Sequence, residues 1–373
     1  MALNTIEEAV AAIAAGEIII VVDDEDRENE GDLVMAAEKA TTEQVAFMIR
    51  HTSGILCTPM NGDEARRLRL DPMVAVNDAP HETAFTVSVD VRHGLTTGIS
   101  AEERTNTVRA LANNNSGAAD FVRPGHIFPL VSKQGGVLVR SGHTEAATDL
   151  ASLAGLNATG LLAELVNDDG TVKRMPEIKT FAAEHDMLVI SIADLIEHRQ
   201  RAERLVSRVA DFPVEVADGE ARCCVYKTEI DDTLHYALCF GDLTAAPVSV
   251  RIQRASVLSD VFGVRGHQGD LVGRSMAHLG RHGGVLVYLR DGTGYGGNPP
   301  RVGDDSLPPD TAVEDDPDSS HNSRRQHWRD IGLGAQILLD LQVTSIDLLA
   351  TSDRHYIGLE GYGIDIVRTT MLD

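Results

Sequence analysis

The stretch Ile18-Ile19-Ile20-Val21-Val22-Asp23-Asp24-Glu25-Asp26-Arg27-Glu28-Asn29-Glu30-Gly31-Asp32, followed by Leu33-Val34-Met35, decides how the front of the chain is read. Five apolar, mostly β-branched residues predict a buried strand. Seven of the ten residues from Asp23 to Asp32 are acidic, and Arg27 alone opposes them. The acidic run is then the loop leaving that strand, and Leu33 begins a second apolar segment. So many carboxylates in one tethered loop repel each other unless cations sit among them. Hard divalent cations such as Mg²⁺ take oxygen ligands, using one or two carboxylates together with substrate oxygens. A solvated acidic turn is the competing reading. Pinning between two apolar segments, with Gly31 permitting a tight bend, favours a metal site.

The chain of 373 residues is long enough for two cores, expected at 1–202 and 203–373. A formal net charge of −24 argues against nucleic acid or an anionic membrane as partner. It leaves room for a phosphorylated substrate, which needs only a local cluster of Arg and backbone N–H groups. The four cysteines (Cys57, Cys223, Cys224, Cys239) show neither CxxC spacing nor disulfide-scaffold density. Met1 to Gly16 has no basic leader region and reads as an amphipathic helix with Ile6, Ala9, Val10 and Ile13 on one face. No apolar run approaches membrane-spanning length. These features lead us to expect a soluble, cytoplasmic protein.

Further along, Thr41-Thr42-Glu43-Gln44 predicts a helix start, Ile55 to Cys57 a short strand, and Ala84 to Val91 an alternating strand. Thr96 to Ser100 is a small polar loop before a helix over Ala101 to Ala112. Arg123-Pro124-Gly125-His126 reads as a turn. Gly136 to Arg140 is expected to be a strand that delivers Ser141-Gly142-His143-Thr144, with Thr144 capping a helix from Glu145 to Ala154. Leu161 to Val166 is a third apolar run, ended by an Asn167 to Gly170 turn. A helix over Glu177 to His185 and a strand over Leu188 to Ile192 complete the first unit. A charged helix from Glu197 to Arg208 is expected to cross to the second. There we expect a hairpin over Cys223 to Phe240 turning at Asp231-Asp232, a strand over Gly284 to Arg290 and a mobile Asn298 to Ser323 loop. A helix from Ile331 to Leu341 and strands near Asp347 and Ile364 follow. The fold class implied is α+β, a mixed α/β arrangement.

Glu164 interrupts an otherwise apolar run. A carboxyl group held in such surroundings has its charged form disfavoured and suits general acid/base work; a solvent-facing position on the strand is the competing reading. His143 follows Gly142 where a helix begins, with Arg140 three residues earlier. Arginine beside unpaired helical N–H groups suits a phosphate, and a neutral imidazole there can ligate a metal held by a carboxylate. Taken singly, His143 reads as a capping or turn histidine and His126 as a turn histidine.

Together the pieces match something more specific. Asp23 to Asp32, Arg50-His51-Thr52-Ser53-Gly54-Ile55, Arg123-Pro124-Gly125-His126, Gly142-His143-Thr144-Glu145-Ala146 and Glu164 before Asn167-Asp168-Asp169-Gly170 resemble, in order, the signature segments of 3,4-dihydroxy-2-butanone 4-phosphate synthases. The resemblance spans about residues 3 to 200. It implies conversion of ribulose 5-phosphate to the four-carbon ketone phosphate and formate, with Mg²⁺ or Mn²⁺, two ions per site. By motif, Glu28 and His143 would hold the metal. Arg27, Glu28, Asp32, Arg140, Ser141, Gly142, His143, Thr144 and Glu164 would bind substrate. His126, Glu164 and Asp32 would be catalytic. Ser141 departs from the family's usual glycine. The resemblance also implies a homodimer whose sites are completed across the interface.

The back half differs. Asp260-Val261-Phe262-Gly263, Gly284 to Arg290 and Gly334-Ala335-Gln336-Ile337-Leu338 resemble GTP cyclohydrolase II. That family's three zinc-binding cysteines align here with Ser256, His267 and Gly269. Serine and glycine supply no thiolate, and one histidine cannot make a tetrahedral site. Asp291-Gly292-Thr293-Gly294-Tyr295-Gly296 also lacks the family's arginine. No zinc and no GTP hydrolysis are therefore expected. The sequence leaves two other readings open: a related pentose-phosphate lyase serving another pathway, and a regulatory protein whose domains only bind ligands.

Overall fold

Thr5 opens the first helix, α1 (Ile6–Ala15): its hydroxyl accepts the Glu8 amide while the Glu8 carboxylate accepts the Thr5 amide. This reciprocal cap satisfies two donors that a helix start leaves unpaired. The apolar run becomes strand β1 (Ile19–Val22) and the segment after the acidic loop becomes β2 (Gly31–Ala36); every residue of both is buried. The computed structural model describes residues 3–24, 27–81, 83–228, 233–262, 271–290, 331–350, 359 and 362–372. It divides into the units Met1–Arg199 and Gln200–Asp373.

The front unit continues with α2 (Thr42–His51), β3 (Cys57–Met60), α3 (Gly62–Arg67), β4 (Val89–Val91), α4 (Ala101–Leu111), β5 (Phe121–Val131), α5 (His143–Leu153), β6 (Gly160–Glu164), α6 (Met175–His185), β7 (Val189–Ser191) and α7 (Ile192–Ala202). Its strands form one mixed sheet in the order β4-β5-β3-β6-β2-β1-β7. Successive strand residues face opposite sides. Ile20, Val22, Leu33, Met35, Leu161 and Ala163 therefore face a core with residues of α2, α4 and α6. Ile19, Val21, Val34, Ala36 and Leu162 face another with residues of α1 and α5. Helices on both faces explain why these strands are continuously apolar rather than alternating.

The second unit holds β8 (Val206–Val216), β9 (Gly219–Thr228), β10 (Leu234–Phe240), β11 (Val248–Arg254), α8 (Val257–Asp260), α9 (Leu271–His282), β12 (Gly284–Leu289), β13 (Ser345–Ala350) and β14 (Asp365–Met371), with a helix at 331–340. Its sheet runs β14-β13-β11-β12-β10-β9-β8. Two sheets with interspersed helices make the fold the mixed α/β class expected.

Several local expectations are corrected. Gly136 to Arg140 is no strand but a single 3₁₀ turn, Gly136–Leu138. Gly135 and Gly136 take positive φ, and Asp149 of α5 accepts the Val137 amide at 2.8 Å, folding the segment onto that helix. Gly142, not Thr144, caps α5. Arg123 to His126 lies within β5, whose partner β4 shifts register there, so a proline-glycine pair marks an irregular strand rather than a turn. The alternating run from Ala84 pairs as a strand only over Val89–Val91. The strand near Cys57 lies later than expected, at Cys57–Met60. The charged helix ends at Ala202, and β8 begins at Val206. The expected Asp231-Asp232 turn and the Asn298 to Ser323 loop lie outside the described residues.

A Cβ on Gly136, whose φ is +61°, would overlap the Asp149 carboxylate. Gly136→Ala should destabilise the protein by about 1–3 kcal/mol, read as a lower urea midpoint by circular dichroism. An unchanged midpoint would contradict this closed turn.

Candidate active site

The site is assembled by strand register. β1, β2 and β6 set Val21, Asp32 and Glu164 directly opposite one another. Opposed side chains on neighbouring strands share a face, here the one covered by α5. Leu162 pairs with Cys57, and Cys57 with Phe128. Before Cys57 that register is not kept: Thr52 bridges Leu165 and the Ser53 amide donates to the Glu164 carbonyl, while His126 lies on β5, beyond β3. One transverse row thus carries two acids, contributed by β2 and β6.

The start of α5 reaches the same row. His143 is buried, and its Nε2 lies 3.2 Å from the Val21 carbonyl, which fixes Nε2 as the protonated nitrogen. Its Nδ1 then faces Glu28 Oε2 at 3.6 Å. Gly142 offers no side-chain cap, so the α5 terminus presents backbone N–H groups that a bulkier cap would have used. Among the described residues, Ser141 Oγ beside them is buried without a hydrogen-bond partner, as is Asp32 Oδ1. Buried polar atoms are normally paired; two orphans at one row indicate where a ligand's groups belong.

The acidic loop is shaped largely by its own first residue. Asp23 Oδ1 accepts the Glu30 amide at 2.8 Å, while Oδ2 accepts the Glu28 amide and Arg27 Nη1, both at 3.0 Å. Arg27 also donates to Glu28 at 2.7 Å. From outside, Arg174 Nη1 donates to the Glu28 and Asn29 carbonyls, each at 2.6 Å. The loop is therefore a held structure rather than a solvated turn. Glu25 and Asp26 lie outside the described residues.

Charge follows geometry. Burial opposes ionisation of Glu28, but His143 and the Arg27 guanidinium bring its carboxyl down to about 2. Burial also works against a charged His143, yet Asp32 and Glu28 raise it to about 9. For Asp32 burial wins: with help from Glu164, Glu28 and Glu30, and against His143, it lifts that carboxyl to about 7. Carboxyls a few residues apart are thus driven in opposite directions, the arrangement expected where one group binds and another moves protons. Ser53 Oγ donates to Glu164 Oε2 at 2.6 Å and orients it.

Arg27, Glu28, Asp32, Ser141, Gly142, His143, Thr144 and Glu164 all converge on this end of the sheet. Arg140 is engaged differently: it donates to Glu145 at 2.6 Å and to the His81 carbonyl and Thr83 hydroxyl at 3.0 and 3.1 Å. His126 sits on β5 against Asp90. Sequence reasoning missed Asp23 as loop builder, Arg174 and Asp90. Nothing local marks the last two, whose partners lie far away in sequence. Among the described residues, the one group of three side chains able to share a metal ion is Asp23, Glu28 and His143, with ligand atoms all within 4.8 Å. The two carboxylates offer the oxygen ligands that hard divalent ions take, and the imidazole adds a nitrogen that a softer divalent ion would favour. Asp23 already accepts three hydrogen bonds, which leaves Glu28 Oε and His143 Nδ1 as the better ligands.

The family model described as 3,4-dihydroxy-2-butanone 4-phosphate synthase matches residues 7–198. The chain belongs to the 3,4-dihydroxy-2-butanone 4-phosphate synthase family. A second model, GTP cyclohydrolase II, matches residues 207–371. The riboflavin biosynthesis protein RibBA of Mycobacteroides abscessus is 45% identical, covering 99% of this chain and 91% of its own. That of Rhodococcus erythropolis is 46% identical, covering 97% and 88%. Among solved structures, RibBX, described as a two domain 3,4-dihydroxy-2-butanone 4-phosphate synthase from A. baumannii, superposes with a TM-score of 0.80 at 33% identity, covering 98% of this chain and 99% of that one. A 3,4-dihydroxy-2-butanone 4-phosphate synthase in complex with two magnesium ions gives 0.52 at 40% identity, covering 54% of this chain and 98% of its own. As a member of this synthase family the chain is an enzyme, a lyase of riboflavin biosynthesis.

In the second unit, Cys223, Cys224 and Cys239 are buried in β9 and β10. Burial raises all three thiols, Cys224 to about 12, so their thiolate forms are disfavoured. Ser256 precedes α8. His267, Gly269 and the Asp291 to Gly296 loop lie outside the described residues.

The raised Asp32 carboxyl has a stability consequence. The folded protein keeps a proton there that the unfolded chain has lost from about pH 4 upward, so folding stability falls as pH rises towards about 7. In EDTA, Asp32→Asn should melt progressively higher than the unaltered protein between pH 5 and pH 8. A pH-independent difference in melting temperature would show that Asp32 carries no such proton.

Proposed function

We propose that the front unit converts D-ribulose 5-phosphate to L-3,4-dihydroxy-2-butanone 4-phosphate and formate, with Mg²⁺ or Mn²⁺, and that the second unit does not hydrolyse GTP. The observation that carries the first part is the convergence of Glu28, His143, Asp32 and Glu164 at one end of the sheet beside an uncapped helix start. Divalent ions held by Glu28 and His143 would polarise the hydroxyl and carbonyl oxygens of an α-hydroxyketone and lower the cost of enolising it. The magnesium complex of a related synthase supports that choice of ion.

The chain's own groups supply the rest. Asp32, at about 7, can hold or release a proton at neutral pH. Glu164, oriented by Ser53, stands next to it to receive or return a proton on the substrate carbons. His126 is the third proton carrier. The N–H groups of His143 and Thr144 and the unspent Ser141 hydroxyl suit the substrate's phosphate or hydroxyl oxygens. Arg140, tied to Glu145, holds the segment leading into α5 and extends positive charge towards it. Glu28 and Arg27 fix the opposite wall. The likeness to the synthase family supports a homodimer whose sites are shared between two copies of the chain. A cytoplasmic location agrees with the free cysteines and with the fact that no described helix is long and apolar enough to cross a membrane.

For the second unit, the loss of thiolates at Ser256 and Gly269 carries the reading. The solved two-domain relative described only as a synthase lends support. The relatives named RibBA make the contrary outcome a fair test.

Formate release from ribulose 5-phosphate with Mg²⁺, and mass spectrometry of the product, test the first part. Glu28→Ala and His143→Ala should each abolish turnover and Mn²⁺ binding in a calorimetric titration. Full activity in either variant would remove the metal assignment. The second part predicts no formate from GTP with added Zn²⁺; measurable release overturns it.

A further inference from the structure

Asp90 is buried beneath His126 and takes no part in the chemistry described so far. Both of its carboxylate oxygens are directed to that one residue. Oδ1 accepts the His126 backbone amide at 2.8 Å, and Oδ2 lies 2.7 Å from His126 Nδ1. The Asp90 side chain is 4% exposed while that of His126 is 40% exposed, so the imidazole is gripped from below with its other edge open.

The surroundings leave this pair no slack. At Gly125 strands β4 and β5 approach so closely that a Cβ would overlap the Val89 and Asp90 backbone. The register of the two strands shifts between Val89 and Asp90, which turns the Asp90 carboxylate towards His126. On the other side Gly98, at φ +82°, covers the pair: a Cβ there would strike Asp90 Oδ2 and come within 2.7 Å of His126 Nδ1. The loop carrying Gly98 is tied to α4, because Thr96 and Ser100 donate to the Glu103 carboxylate. The guanidinium of Arg104, one turn into α4, is buried and hydrogen-bonds the Gly54 carbonyl at 3.3 Å, but its Nε has no partner among the described residues. The Asp90 carboxylate is the charge that offsets the burial of Arg104.

We propose that Asp90 is a positioning residue for His126: its carboxylate holds the ring with Nδ1–H donated, leaving Nε2 as the atom that exchanges a proton with substrate. This rests on the role given to His126 above. An imidazole free to rotate or to take either tautomer would present the wrong nitrogen part of the time; a carboxylate with two bonds to one residue removes both freedoms. The buried Arg104 keeps that carboxylate beside a compensating positive charge, and Gly98 excludes water from the Nδ1 side.

The test uses the full-length protein with Mg²⁺ and four variants: Asp90→Asn, Asp90→Glu, His126→Gln and the Asp90→Asn/His126→Gln double variant. Asp90→Asn should lower kcat about tenfold or more with KM for ribulose 5-phosphate within about twofold, and Asp90→Glu should recover part of the loss. The double variant should be no slower than His126→Gln, since Asp90 acts only through that ring. Nitrogen NMR of ¹⁵N-histidine-labelled protein, with His126 assigned by its absence in His126→Gln, should show an Nδ1–H ring. Asp90→Asn should produce a tautomer mixture. An unchanged His126 tautomer in Asp90→Asn overturns the proposal, as does a double variant slower than His126→Gln by the full Asp90→Asn factor. Full activity of His126→Gln would instead remove the catalytic role of His126 while the tautomer reading still stood on its own. Should Asp90→Asn fold poorly, Asp90→Ser, which also lacks the carboxylate, carries the same kinetic and spectroscopic comparison.

Discussion

The cost of gathering negative charge at the buried end of a β-sheet governs the front unit. Asp23, Glu28, Glu30, Asp32 and Glu164 come together where strands β1, β2 and β6 meet, and carboxylates out of water are expensive unless paired. Each is accommodated differently. Asp23 takes backbone amides and Arg27, Glu28 takes Arg27 and faces His143, Glu164 takes a serine hydroxyl, and Asp32 retains its proton to about neutral pH. Arg174 adds a clamp on the loop carbonyls. Two buried polar atoms there, Asp32 Oδ1 and Ser141 Oγ, have no hydrogen-bond partner among the described residues.

The helix α5 is the other half of that balance. It starts at a glycine, in contact with the sheet end, so its unpaired N–H groups and the positive end of its dipole lie beside the carboxylates. Its position is set by the 3₁₀ turn pinned through Asp149, whose Oδ2 accepts both the Val137 amide and Arg199 Nη1. Packing of Ala146, Ala147, Leu150 and Ala151 against the sheet then fixes the height of His143 over Val21. A loose helix here would move the imbalance of charge rather than neutralise it.

The second unit solves a simpler problem. Its sheet buries thiols within strands, where they behave as small apolar groups. Its strongest polar contacts are structural: Asp340 gathers Arg208 and the buried Tyr226 hydroxyl at 2.7 and 2.9 Å. The contrast with the front unit is one of satisfaction, since a fully paired network rigidifies and a deliberately unpaired one awaits a ligand.

Much of the front unit was legible in the chain. The apolar runs at Ile18 to Val22 and Leu161 to Val166 gave strands because both faces are covered, the Thr41 and Ser100 positions marked helix starts, and the acidic loop with Gly142-His143-Thr144 named the family and the residues that converge. What failed was local: Gly136 to Arg140 has strand composition but is bent by contact with Asp149, and Arg123 to His126 has turn composition but is held in β5 by its neighbours. Hydrophobic pattern and loop chemistry are properties of adjacent residues, so the sequence by itself determined the elements, the chemistry of the loop and the kind of ion it suits. Only the tertiary structure decided that Asp32 and Glu164 share a row, that His143 offers Nδ1, and that Asp90 and Arg174 hold the residues around it. Those facts depend on strand register and helix docking across 36 to 146 positions of chain, and no spacing within a single segment encodes them.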